Sequence, residues 1–79
     1  MATIPYRIHL SPEDEGGYTV TVPALPGCIT YGEDFPHALA MAREAIEGYL
    51  EGLKKLNKPI PQEPLTVETD AIIEVSAPI

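Results

Sequence analysis

The sequence predicts an α+β domain, a small β-β-β-α-β sheet whose apolar face lies under one helix. Three observations predict it. Apolar and polar side chains alternate over residues 3–10 and again over 18–22, the period of a half-buried strand. From Phe35 the apolar spacing changes to threes and fours, the period of an amphipathic helix. Proline and glycine clusters separate these segments at residues 11–17, 23–27 and 57–64. With 79 residues, the whole of 1–79 makes one domain, a size that buries roughly 60–65% of its unfolded surface.

In the first strand Ile4, Tyr6, Ile8 and Leu10 share one face, with Pro5, Arg7 and His9 on the other. Pro5 cannot donate to a ladder, so it suits the strand's beginning or an unpaired side. Residues 11–17 read as a loop, punctuated by Pro12 and Gly16-Gly17, with Glu13, Asp14 and Glu15 crowding its tip. The short connection makes the next strand antiparallel to the first. Tyr18, Val20 and Val22 alternate there with Thr19 and Thr21. Pro23-Ala24-Leu25-Pro26-Gly27 then turns the chain: each proline fixes φ and removes a donor, and Gly27 can take angles other residues avoid. Cys28-Ile29-Thr30-Tyr31 forms a short third strand that ends at Gly32.

Phe35, Leu39, Ala42, Ile46, Leu50 and Leu53 make one stripe along the helix. Asp34 is its natural N-cap and Pro36 suits the first turn. Gly48 and Gly52 fall off the stripe, and each weakens the helix by about 1 kcal/mol relative to Ala. Lys54, Lys55 and Lys58 complement the dipole at its C-terminal end. A proline-spaced, extended connector follows over 57–64. Residues 71–76 have high β propensity and make the last strand. Because it follows a helical crossover, it is expected parallel to the first strand, with a right-handed connection.

Five basic against twelve acidic side chains give a net charge of −7 and a pI near 4.5. That balance opposes contact with phosphate backbones and steers a basic partner toward the surface. One cysteine leaves no intrachain disulfide. Small domains without such staples gain stability by association, so a homo-oligomer, dimer or tetramer, is expected. The start Met1-Ala2-Thr3-Ile4-Pro5 lacks a basic n-region. No apolar run approaches the roughly 18 residues of a membrane span. A reducing cytoplasm and no membrane contact are therefore expected.

Catalytic constellations are scarce. Glu13, Asp14 and Glu15, and again Glu33 and Asp34, supply paired carboxylates, and a metal-dependent nuclease needs several converging on Mg²⁺. These fall in a loop and at a helix start, where solvation and capping account for them, so no metal site is expected. Cys28 with His9 or His37 has no third group to orient the base; it reads as a small buried hydrophobe. Gly16-Gly17 leads into a strand, not a helix, and reads as a turn, not a phosphate cradle. No catalytic residue and no cofactor are expected. Tyr6, Tyr18, Tyr31 and Tyr49, beside one Phe and no Trp, favour a protein-binding surface, and an open sheet leaves edges for a partner to cover.

The ordered set Glu15-Gly16-Gly17-Tyr18, Pro23-Ala24-Leu25-Pro26-Gly27-Cys28, Thr30-Tyr31-Gly32, a helix with Ala38, Glu44-Ala45 and Tyr49-Leu50, and Pro59-Ile60-Pro61 resembles the HicB family of antitoxins. The resemblance spans roughly residues 4–76. It implies a partial RNase H-like fold of the same element order. It also implies a role: HicB-type proteins bind and inhibit a small basic HicA-type toxin that cleaves mRNA. Many members continue into a DNA-binding domain; here the sequence reaches Ile79 without a basic segment, so direct nucleic-acid binding is not expected.

The expected charge partners for a toxin are Glu13, Asp14, Glu15, Glu33 and Asp34. The motif residues Gly16, Gly17, Tyr18, Pro23, Pro26, Gly27 and Cys28 are expected to shape the backbone. Two other classes stay open: a solitary regulatory or binding module without a toxin, and a residual RNase H-like nuclease, which turnover of RNA or DNA with Mg²⁺ or Mn²⁺ would reveal.

Overall fold

The computed structural model describes residues 3–62 and 71–76. The elements run β1 (Thr3–Pro12), β2 (Tyr18–Thr21), β3 (Ile29–Gly32), α1 (Phe35–Lys55) and β4 (Ala71–Ser76), the order expected. The strands form one sheet in the order β3-β2-β1-β4, and every neighbouring pair is antiparallel.

The period-two reading places the core correctly. Tyr6 and Ile8 of β1, Val20 of β2, and Ile73 and Val75 of β4 point to one face, where α1 covers them with Ala38, Ala42, Ile46 and Leu50. Val22, Leu25 and Cys28 close that core at the β2–β3 corner. Ladder parity follows from one bond: the Val22 N–H donates to the Cys28 carbonyl at 3.2 Å. Residues 28, 30 and 32 therefore turn their main chains toward β2, and residues 29 and 31 turn theirs away. Carried across the sheet, the odd residues of β1 face β2 and its even residues face β4.

That parity explains both strand prolines. Pro5 pairs in register with Glu74, and its missing N–H faces a side where β2 has already ended. Pro12 extends β1 to pair with Tyr18, and its missing N–H faces away from β2. The expected loop at 11–17 is accordingly shortened. Ser11 and Pro12 belong to the strand, because proline removes no bond that the hairpin needs.

The last strand corrects the expected direction. β4 lies beside β1 as anticipated but runs antiparallel to it, Thr3 opposite Ser76 and Ile8 opposite Ala71. Side chains of α1 show why. Arg43 Nε donates to the Glu74 carbonyl at 3.0 Å, and one turn later Glu47 Oε2 accepts from the Ser76 N–H at 2.8 Å. Helix and strand thus run the same way, so the connector must carry the chain back before β4 begins. The connector's start is anchored by Tyr6, whose buried phenol donates to the Pro61 carbonyl. Its stretch beyond Gln62, including Pro64, lies outside the described residues.

The helix stripe also shifts. Ala38 is fully buried, whereas Phe35 is 45% exposed and meets the Tyr18 ring edge-on at 6.2 Å between centroids. Gly32 ends the last row of the sheet, and a Cβ there would stand 2.2 Å from Ala38 Cα. Ala38 therefore occupies the end of the sheet, and Phe35, one turn earlier, projects past it. Gly48 and Gly52 lie on the exposed side with open space around them, as the stripe predicted.

Candidate functional site

Register brings the two acidic segments together. Pro12, Tyr18 and Gly32 share one row across β1, β2 and β3, with adjacent strands about 4.8 Å apart. Glu13, Asp14 and Glu15 leave that row on the β1–β2 hairpin, and Glu33 and Asp34 leave it from β3. All five are exposed. The sequence-predicted acids thus form a single negative pole at one end of the sheet.

Each acid is held differently. The hairpin closes through the Glu13 N–H to the Gly17 carbonyl and the Gly16 N–H to the Glu13 carbonyl, both 3.0 Å. The Glu13 carboxylate accepts from the Thr19 hydroxyl at 2.7 Å, which lays it along the helix-free face of the sheet. Asp14 and Glu15 stay at the tip. Asp34 caps α1, its Oδ1 accepting from the His37 N–H at 2.8 Å. His37 returns the bond: its Nδ1 accepts from the Glu33 N–H at 2.9 Å. Two main-chain donors at the helix entrance are thus satisfied through His37, a variant of the capping box in which imidazole replaces the carboxylate and bonds the residue before the cap. Asp34 therefore serves the fold first, and the exposed Glu33 carboxylate leaves the helix end beside it.

Tyr31 joins this pole, a role the sequence reading did not assign. Its hydroxyl donates to the Gly16 carbonyl at 2.9 Å, and with Glu13, Asp14, Glu15 and Gly16 it lines a shallow concavity. The contact demands glycine at position 17. Gly17 has φ +83°, and a Cβ on it would lie 2.1 Å from the Tyr31 hydroxyl oxygen and 2.7 Å from the Gly32 carbonyl. Alternation in Ile29-Thr30-Tyr31 was the available signal: it puts Tyr31 on the helix-free face, but not within reach of Gly16.

The remaining motif residues sit at the opposite end. Pro23, Pro26 and Gly27 belong to the corner joining β2 to β3, pinned by the Leu25 N–H to the Val22 carbonyl and the Cys28 N–H to the Leu25 carbonyl, both 3.0 Å. Gly27 has φ +81°, which the turn requires. The Tyr49 hydroxyl donates to the Pro26 carbonyl at 2.9 Å and ties the corner to α1. Cys28 is buried there, and desolvation pushes its thiol above the ordinary value of 9.0. The motif that stands out most in the sequence is thus scaffold, at the far end from the acids.

Among the described residues, no three His, Cys, Asp or Glu side chains are grouped to hold a metal ion. None of the described helices is long and apolar enough to cross a membrane. What the pole offers is fixed negative charge on a short, well-bonded hairpin beside a tyrosine, a surface suited to docking.

Residues 6–74 match the model of the HicB-like antitoxin of bacterial toxin–antitoxin systems. A UPF0150 protein of Thermoplasma acidophilum is 45% identical over 58 residues, covering 73% of this chain and 84% of its own. Antitoxin HicB 1 of Photorhabdus laumondii is 38% identical over 60 residues, covering 71% of this chain but 39% of its own. The crystal structure of the N-terminal domain of Burkholderia pseudomallei antitoxin HicB superposes with a TM-score of 0.72 at 27% identity, over 96% of this chain and all of that one. With the same sheet, the same single helix and a family match over nearly its whole length, the chain belongs to the HicB-like antitoxin family.

Proposed function

We propose that this chain neutralises a small, basic, mRNA-cleaving toxin of the HicA type by covering its RNA-binding surface, without chemistry of its own. The observation that supports this most directly is the convergence of Glu13, Asp14, Glu15 and Glu33 on one end of the sheet in a chain of net charge −7. A surface that binds RNA is basic, so an acidic pole competes for the same groups and accelerates encounter. The RNase H-like character implied by the family is, on this reading, one of fold alone. The encounter takes place in the cytoplasm, where the mRNA substrate is and where Cys28 stays reduced.

The test is stopped-flow association with a HicA-type toxin at several salt concentrations. Reversing Glu13, Asp14 and Glu15 to Lys together should slow association at least tenfold at low salt and flatten its salt dependence. Association unchanged in rate and salt dependence removes the hairpin from the interface.

A further inference from the structure

The sheet ends on one side in β4, a strand of the kind that invites extension. Ala71–Ser76 is rich in β-branched residues, contains no proline and carries one charge, at Glu74. Its pairing with β1 turns the main chains of Ile72, Glu74 and Ser76 outward, where a further strand would lie. Side chains of α1 stand there instead: Arg43 Nε donates to the Glu74 carbonyl, and Glu47 Oε2 accepts from the Ser76 N–H. Together they reproduce the two bonds that one residue of a parallel strand would make opposite Val75, an N–H to the carbonyl before it and a C=O to the N–H after it. The spacings make this possible, because four helical residues advance about 6 Å and two strand residues about 6.6 Å. One turn before Arg43, Leu39 has no polar group to offer Ile72, whose side chain is 49% exposed.

We propose that Arg43 and Glu47 form an autoinhibitory contact: they fill the place of a fifth strand from within the chain and deny the β4 edge to an extended segment of another chain. Both bonds lie at the surface, where water serves a vacated carbonyl or N–H, so they add little to folding. Their consequence is in what they exclude. The segment excluded above all is β4 of another copy, a strand of the same propensity that is present wherever the protein is. The charge on Glu74 does not achieve this alone. Two copies of β4 set antiparallel with Ile72 opposite Glu74 place no like charges across from each other. In that register only the occupied main-chain groups stand in the way. The inference is independent of the toxin reading, and it concerns what the chain gains when the contact is removed.

Sedimentation velocity over a range of concentrations tests it on the full chain and on the double variant Arg43→Ala/Glu47→Ala. The two alanines leave the net charge unchanged and favour the helix, so a gain in association reports the uncovered edge. The double variant should sediment faster than the wild type, increasingly so as concentration rises, with unchanged far-UV circular dichroism. Adding Ile72→Lys should return it to the wild-type profile, because charge on an edge strand opposes pairing. Glu47→Gln, which keeps a side-chain carbonyl for the Ser76 N–H, should match the wild type. Amide hydrogen exchange gives a second readout that stands even where the double variant folds poorly. The Ser76 amide should exchange faster in Glu47→Ala than in the wild type when dilute, and slow again when concentrated. A double variant that matches the wild type at every concentration would overturn the proposal. So would association that persists with Ile72→Lys, or a Ser76 amide whose exchange ignores Glu47 or never slows with concentration.

Discussion

Replacing Gly17 with alanine tests the link between the hairpin and β3. Two costs add. An L-residue at φ +83° pays roughly 1–2 kcal/mol in backbone strain. The new Cβ, 2.1 Å from the Tyr31 hydroxyl oxygen, must also push the phenol off the Gly16 carbonyl, which forfeits about 0.5–1.5 kcal/mol for the hydrogen bond. The side chain can swing away, but the Gly32 carbonyl at 2.7 Å is main chain of the Tyr18–Gly32 pair and cannot yield without disturbing the ladder. The two quantified costs total about 1.5–3.5 kcal/mol, in line with overpacking a tight site. Gly16→Ala is the control: φ is +102° but no atom lies within 4 Å of its Cβ, so it bears strain alone, about 1–2 kcal/mol. Urea unfolding followed by circular dichroism should separate the two by at least about 1 kcal/mol. For a domain of this size that corresponds to roughly 4–8 °C in Tm. Adding Tyr31→Ala to Gly17→Ala should recover part of the loss, a coupling beyond the few tenths of a kcal/mol expected of independent sites. If Gly17→Ala costs no more than Gly16→Ala, the contact that shapes the acidic pole is absent and the reasoning fails.

Other consequences are open to measurement. Asp34→Ala should destabilise the chain by about 1 kcal/mol through loss of the helix cap, whereas Asp34→Asn should keep the cap while removing the charge. Thermal unfolding of the pair separates structural from electrostatic roles, and equal losses would refute the assignment. Gly48→Ala, on the open side of α1, should raise stability by about 1 kcal/mol; an unchanged or lower urea midpoint would mean the position meets another surface. The raised Cys28 thiol fixes a sign for alkaline pH. The folded chain holds the proton where the unfolded chain has lost it, so the associated stability is complete below about pH 9 and falls as pH rises further. The stability difference between wild type and Cys28→Ala should therefore be flat below about pH 9 and shrink above it; a constant difference to pH 10.5 would show the thiol is not desolvated.

Much of this architecture was legible in the residues. Alternation in β1 and β2 named the core faces, because a strand buries every second side chain whatever its neighbours. Asp34 and Pro36 marked the helix start, because unsatisfied N–H groups there need an acceptor. Pro5 was expected at the strand's beginning or on an unpaired side; it stands near the start of β1, facing a side where β2 has ended. Other features depended on groups distant in sequence. Phe35 fits the apolar stripe, yet it is exposed, because the sheet beneath it ends at Gly32. Tyr31 could be placed on a face but not against Gly16, since that contact depends on the reach of a side chain across β2.

By itself the sequence determined the elements, their turns, the face each presents to the core and the excess of negative charge, all consequences of local periodicity and backbone chemistry. Only the tertiary structure decided the direction of β4, since alternation reads the same from either end of a strand and direction depends on how far the connector carries the chain. It alone also drew the separate acids into one pole and bound α1 to β4 through Arg43 and Glu47. Those outcomes rest on register and on long-range hydrogen bonds from Arg43, Glu47 and Tyr31, which no window of neighbouring residues contains.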